Sequence, residues 1–171
     1  MVEDVVTENA VKKWEEPGSL AQLKTEESFK ALTFWLANEE YAIDISVIEE
    51  ITRPVTVTYV PRVPLYIKGI VNLRGRVIPV LDMHVRMGLS AYVPEKKNRF
   101  IICRTEQAEV GIIADKVTDV VSFGKYQIEP SPAKVTASGS GFIKNIGRVK
   151  ERILIILDTA KILRVNQEGA S

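Results

Sequence analysis

The stretch Gly69–Asp82, GIVNLRGRVIPVLD, sets two strand-like runs against each other across Arg74-Gly75-Arg76. Ile70 and Leu73 on one side, with Val77, Val80 and Leu81 on the other, supply the apolar positions of a strand pair. Gly69 and Gly75 permit bulge or turn geometry that a side chain would resist. Pro79 has no N–H to give to a ladder, so it predicts an edge or a bulge along RVIPV rather than a fully paired central strand. Asp82 is placed to cap a short helix, MHVRMG, with Gly88 as its stop.

The same grammar extends towards the N-terminus. Leu32, Phe34 and Leu36 alternate with Thr33 and Trp35, Asn38-Glu39-Glu40 supplies a turn, and Tyr41, Ile43 and Ile45 alternate with Ala42 and Asp44. That pattern predicts a β-hairpin. In SVIEEI, Ser46 followed three residues later by Glu49 is a capping-box pattern, so one or two turns of helix are expected, ending at Arg53-Pro54. Glu50 then lies on the outer face of that helix beside Ile48, an ordinary solvated glutamate on residue physics alone. VTVTYVP reads as a further strand.

The sequence of elements then recurs. RFIICRTEQAEVGIIADKVTDVV predicts a second hairpin, a cap at Asp115 and a short helix. Gly111 and Val117 follow Tyr41 and Val47 at a spacing of 70, Gly141 follows Gly69 at 72, and Asp158 follows Asp82 at 76. YQIEP echoes VTYVP, GFIKNIG echoes GIVNLRG, and RILIILDTAKIL echoes RVIPVLDMHVRMGL with Asp158 as its cap. The drift in spacing places insertions in loops, one of them in the Gly- and Ser-rich residues 131–141. Two related lobes of about five short strands each follow, and short strands with small turns argue for barrels or a sandwich over a parallel sheet. In this alignment the copy has Ile146 where Leu73-Arg74 would fall and no arginine until Arg148. Arg74 is therefore the part of the opening stretch that the fold itself does not demand.

Composition excludes several function classes. Lys plus Arg number 23 against 22 Asp plus Glu, so the net charge of +1 gives no global attraction to nucleic acid or an anionic membrane. Arg53, Arg62, Lys68, Arg74 and Arg76 cluster in the first lobe, but Tyr59 and Tyr66 are the only aromatics among them. A small-barrel nucleic-acid-binding protein is the alternative function they leave open. The single cysteine, Cys103, allows no intramolecular disulfide and reads as a small buried hydrophobe. The single histidine, His84, has no catalytic spacing to a carboxylate or to Cys103, and one His with one Cys cannot build an N/S zinc site. SGSGF lacks the Lys-Ser/Thr of a P-loop, and no G-x-S-x-G occurs. Residues 1 to about 27 are charged, broken by Pro17-Gly18-Ser19 and poor in apolar surface, so a tail is expected. They contain no signal-peptide core, and no apolar run approaches the about 20 residues of a membrane-spanning helix. A cytoplasmic setting follows.

EEYAIDISVIEEI, IKGIVNLRGRVIPVLDMHVRMGL and VGIIADKVTDVVSF, in this order and spacing, resemble the CheW family of chemotaxis coupling proteins over roughly residues 29–165. The resemblance implies a mainly β fold of two SH3-like five-stranded β-barrels with short helices. It places a CheW-like domain at 28–171, with lobes of about 28–95 and 96–165 that can intertwine. It implies a scaffold without catalysis, metal or cofactor, recruited to the inner face of the membrane through receptors without inserting. The partners it implies are the regulatory domain of the histidine kinase CheA and the cytoplasmic tips of methyl-accepting chemoreceptors. Carried over by matched position, Ile48 and Glu50 become kinase-binding residues. Asn72, Arg74 and Gly75 of the NLRG signature, with Gly69, Phe100 and Val120, become receptor or array contacts.

Overall fold

The computed structural model describes residues 29–131 and 140–165. The expected N-terminal tail and most of the Gly- and Ser-rich loop lie outside the described residues.

Eleven strands build two sheets. They are β1 (Phe29–Leu36), β2 (Glu39–Asp44), β3 (Ile48–Thr52), β4 (Ile67–Leu73), β5 (Arg76–Leu81), β6 (Arg99–Arg104), β7 (Glu109–Ala114), β8 (Lys116–Phe123), β9 (Ile128–Pro130), β10 (Ile143–Val149) and β11 (Arg152–Leu157). Two short helices, α1 (Met83–Met87) and α2 (Thr159–Ile162), follow β5 and β11. One sheet has the order β8-β1-β2-β11-β10-β9 and the other β3-β6-β7-β5-β4. The chain is thus mainly β, as expected. The five strands expected in each lobe become six and five, and backbone pairing closes neither sheet into a barrel.

The repeat is assembled by exchange. All five strands of the smaller sheet come from the continuous stretch 48–114, whereas the larger sheet takes β1 and β2 from before it and β8 to β11 from after it. Residue 95 therefore falls within the stretch that builds the smaller sheet. In each sheet two antiparallel hairpins meet at a short parallel joint: β5 with β7 at Val80–Gly111 and Leu81–Ile112, and β11 with β2 at Ile155–Tyr41 and Ile156–Ala42.

Three apolar clusters hold this arrangement. The largest lies between the sheets and takes Leu32, Phe34, Leu36 and Ile43 from one, with Leu81, Ile101, Cys103 and Ile112 from the other. The opposite face of the smaller sheet packs Val71, Ile78, Val80, Phe100, Ile102 and Ile113 together. Its counterpart in the larger sheet gathers Ala31, Ala42, Val121, Phe123, Leu154 and Ile156. Both faces of each sheet are buried in this way, and each fully buried Leu, Ile or Phe contributes about 1.5–3 kcal/mol.

Local expectations fare unevenly. The hairpins at β1–β2, β4–β5 and β6–β7 form as read. Asp82 caps α1 by accepting from the Val85 N–H at 3.1 Å, and Gly88 terminates it in the left-handed region. Asp158 caps α2 by accepting from the Lys161 N–H at 3.2 Å. SVIEEI is not a helix: a single 3-10 turn, Ile45–Val47, capped by Asp44, leads into strand β3. Here β-branched Ile48, Ile51 and Thr52 favour the extended chain, and pairing with β6 satisfies its backbone. Asp115 caps no helix, because β8 begins at the next residue. VTVTYVP forms only the bridge Thr58–Ile70, in a segment bounded by Pro54 and Pro61.

Pro79 sits inside the sheet rather than at its edge. Its partner on β4, Ile70, turns its backbone groups outward to Thr58, with N···O distances of 2.9 and 2.7 Å. The proline nitrogen consequently faces the β7 side, where pairing begins only at Val80. β5 is interior by order but half an edge by hydrogen bonding.

Candidate partner-binding site

The β4–β5 hairpin turns at Arg74 and Gly75, with φ of 53° and 84°. Two successive positive φ angles match the right-handed twist of a two-residue hairpin. Gly75 suits this geometry, and an arginine at the first position costs about 1–2 kcal/mol. The Asn72 side-chain oxygen accepts from the Gly75 N–H at 3.0 Å and pins the turn. A strained residue held at an exposed tip is an observation that points towards function. The NLRG motif therefore has a local meaning: asparagine braces the turn, leucine anchors it in the core, arginine is presented, and glycine permits it.

Arg74 does not stand free. Its Nη1 donates to Glu50 Oε1 at 2.6 Å, and its side chain remains 69% exposed. The pairing raises the arginine pKa further, through the hydrogen bond first and the charge of Glu50 second. Around this pair lies a network that residue-by-residue reading does not find. Arg76 reaches Glu49 at 3.4 Å and Glu50 at 3.8 Å, and closely pairs with Glu109. Arg104 grips Glu49 with Nε at 3.0 Å and Nη2 at 2.6 Å, and reaches Glu109 at 3.1 Å. The bidentate Arg104 holds the Glu49 carboxyl below the usual carboxylate range. Three arginines thus meet three glutamates on β3, the β4–β5 hairpin and the β6–β7 hairpin. One signal was available in sequence: Arg104 and Glu109 face each other once the β6–β7 register is drawn.

The other expected site residues are distributed between surface and interior. Ile48 is half-buried and packs against the central cluster, next to exposed Glu49 and half-buried Glu50 on β3. Asn72 and Gly75 are exposed beside Arg74. Gly69 is buried, and a Cβ there would stand 2.3 Å from the Thr58 carbonyl oxygen and 2.7 Å from Val57 Cγ1. Phe100 is 2% exposed in the core of the smaller sheet and presents no surface. Val120, on β8 of the larger sheet, is 51% exposed. Ile48, Glu50, Asn72, Arg74 and Gly75 are therefore brought together, Gly69 and Phe100 shape the sheet beneath, and Val120 lies apart on the other sheet.

The larger sheet carries a counterpart. Arg152 Nη2 pairs with Glu40 at 2.6 Å and Asp119 at 3.1 Å, and Thr33 Oγ1 donates to Asp119 at 2.6 Å. Arg152 follows Arg76 by 76 residues and Asp119 follows Glu49 by 70, the spacings of the repeat. Asp119 is held below its ordinary pKa by the hydrogen bond from Arg152 first and that from Thr33 second. The β10–β11 turn places Lys150, with φ of 56°, where the β4–β5 turn places Arg74. This corrects the sequence alignment of the copy: a cation is kept at the tip, 76 residues on. Among the described residues Lys150 has no ion-pair partner.

The groups with chemical potential are otherwise engaged in the fold. Burial pushes the Cys103 thiol up to about 12. His84 is buried, with Nδ1 on the Ser90 carbonyl and Nε2 2.9 Å from the Asp115 carboxylate. Asp115 also accepts from the Ala37 N–H at 2.7 Å, which ties the β7–β8 crossover to the β1–β2 turn. Among the described residues no three His, Cys, Asp or Glu side chains gather as a metal site. None of their helices is long and apolar enough to cross a membrane.

Comparison with known proteins agrees with this architecture. Residues 30–167 match the CheW-like domain family. The chain is 36% identical over 132 residues to the chemotaxis protein CheW of Klebsiella aerogenes, covering 77% of this chain and 80% of that protein. It is 35% identical over 143 residues to the chemotaxis protein CheW of Bacillus subtilis, covering 84% and 90%. The crystal structure of the scaffolding protein TtCheW from Thermoanaerobacter tengcongensis superposes with a TM-score of 0.75 at 33% identity, over 82% of this chain and 96% of that one. With most of its length matched in sequence and in fold, this chain belongs to the CheW family.

Proposed function

We propose that the chain is a non-catalytic chemotaxis scaffold that couples the cytoplasmic tips of transmembrane chemoreceptors to the regulatory domain of the histidine kinase CheA. On this reading it works in the cytoplasm and is drawn to the membrane through receptors. Its two sheets act as SH3-like lobes, one presenting Ile48 and Glu50 to the kinase. Asn72, Arg74 and Gly75 make receptor or array contacts, Gly69 and Phe100 set the geometry below them, and Val120 contributes from the second lobe.

The observation that carries this reading is the exposed, strained and braced Arg74. A planar guanidinium with donors directed outward suits carboxylates and backbone carbonyls of a protein surface. The kinase-facing and receptor-facing positions also touch, through the Glu50–Arg74 pair. One contact can thereby alter the other, and moderate interfaces gain strength by acting together in an array.

The basic residues weigh against nucleic acid. Of the five, Arg74 and Arg76 are paired with glutamates and Lys68 lies over the Tyr92 ring at 5.3 Å, which leaves exposed Arg53 and Arg62 too few for a cationic track.

The test is direct binding of the purified chain to a CheA regulatory domain and to a chemoreceptor cytoplasmic fragment, at low and physiological salt. Binding to both with no turnover supports the proposal. Binding to neither, or salt-sensitive binding to single-stranded nucleic acid instead, overturns it.

A further inference from the structure

We propose that Arg76 is a positioning residue that makes Arg74 releasable, taking over Glu50 when an acidic partner surface draws Arg74 away. The inference rests on the coupling function proposed above and concerns how the same site works.

Glu50 has two cations within reach. Arg74 Nη1 is at 2.6 Å and Arg76 Nη2 at 3.8 Å, both from the same oxygen, Oε1. The two arginines differ in freedom. Arg74 is 69% exposed and has only Glu50 as an ion-pair partner among the described residues, whereas Arg76 is 35% exposed and is also held by Glu49 and Glu109. Arg74 can therefore leave, and Arg76 cannot.

Without Arg76, departure of Arg74 would strip a glutamate side chain that is only 20% exposed of its counter-charge. Such a group pays desolvation without compensation, which would hold Arg74 on Glu50 and oppose docking. With Arg76 in place, a shift of about 1 Å brings Nη2 to hydrogen-bond distance. The acids that Arg76 then shares less closely remain covered, because Arg104 reaches both Glu49 and Glu109. The three-arginine, three-glutamate network is thus arranged to lose one arginine to an outside carboxylate while keeping every glutamate beside a cation. The partner chemistry it fits is an acidic protein surface placing one carboxylate over the Arg74 turn.

The experiment is a double-mutant cycle on binding to the CheA regulatory domain and to the receptor fragment, with Arg76→Gln in the wild-type and Arg74→Ala backgrounds. Arg76→Gln is expected to weaken binding of one partner about fivefold in the wild type and to have no further effect once Arg74 is alanine. Arg76→Lys, which retains the charge, is expected to restore most of the loss. Equal losses in both backgrounds, or no loss in either, overturn the proposal.

A second readout needs no partner. Side-chain NMR of Arg74 in the Arg76→Gln protein is expected to show slower guanidinium rotation, because Glu50 then depends on Arg74 alone. Faster or unchanged rotation overturns the proposal. If the wild-type chain binds neither fragment, the coupling function fails, and the NMR experiment still decides the role of Arg76.

Discussion

Arg74 Nη1 and Glu50 Oε1 stand 2.6 Å apart although Glu50 lies on β3, at one end of the smaller sheet, and Arg74 on the turn that follows β4, at the other. Four inter-strand steps separate β3 from β4 in the order β3-β6-β7-β5-β4, and a flat sheet would set them about 19 Å apart. The sheet must roll to bring them together. Its ends are joined by side chains across a gap that backbone bonding does not close. In the larger sheet Arg152 of β11, an interior strand, reaches Asp119 of β8, an end strand, at 3.1 Å across β1 and β2. Ion pairs that span non-adjacent strands therefore occur in both sheets.

Arg74→Ala is expected to change stability by less than about 1 kcal/mol, since exposed pairs contribute little. Arg74→Gly should even gain slightly in thermal midpoint, because glycine accepts the left-handed position without strain. Both variants should bind the kinase or receptor fragment more weakly. An unfolded Arg74→Ala protein would make the arginine structural and remove it from the site.

Gly69 and Gly75 should respond differently to alanine. At Gly69 the new Cβ meets the Thr58 carbonyl at 2.3 Å, so the 53–66 segment must move away from β4. A loss of about 2–4 kcal/mol is expected in denaturant unfolding. At Gly75 nothing lies within 4 Å, and only the φ of 84° opposes the change, for about 1 kcal/mol. Similar losses at the two sites would contradict the packing at Gly69.

Acid should weaken the arginine–carboxylate pairs of both sheets. Asp119 and Glu49 have folded pKa values below their unfolded ones, through Arg152 and Arg104 respectively. Such groups stabilise the fold above the unfolded value, about 4, and the contribution disappears as pH falls through the folded value. Asp119→Asn should therefore be less stable than wild type at pH 7, with the gap narrowing as unfolding is measured at successively lower pH. A gap that stays constant from neutral pH to about pH 2 would contradict this account.

Cys103 is fully buried, with its thiol pushed up to about 12. The native protein at pH 8 should react with a thiol reagent only at the rate of global opening, and denaturant should release full reactivity. Rapid native-state labelling would mean that β6 opens locally.

Much of the local structure was legible from residue order. Alternation around Leu32–Ile43 and across Gly69–Leu81 identified hairpins, and Asp82 and Asp158 announced their helices, because these signals depend on neighbours a few positions away. SVIEEI misled for the same reason: its capping-box spacing is local, while the pairing of Ile48–Thr52 with Phe100–Cys103 is not. Asp115 resembled a cap, but tertiary contacts give its carboxylate to His84 and Ala37.

The site divides along the same line. Arg74 beside Gly75 at a hairpin tip could be read from the chain, since the turn needs only its own four residues. Its pairing with Glu50, and the service of Arg76 and Arg104 around it, could not. Those contacts join residues 24, 27 and 55 positions apart: the first two need the sheet to roll, and the third needs β3 to pair with β6. Residue order settled period, turns, caps and the duplication, all of them short-range preferences of the backbone. The exchange of hairpins between sheets, and the company each charge keeps, awaited the burial of both faces of each sheet, a requirement met only by the whole chain at once.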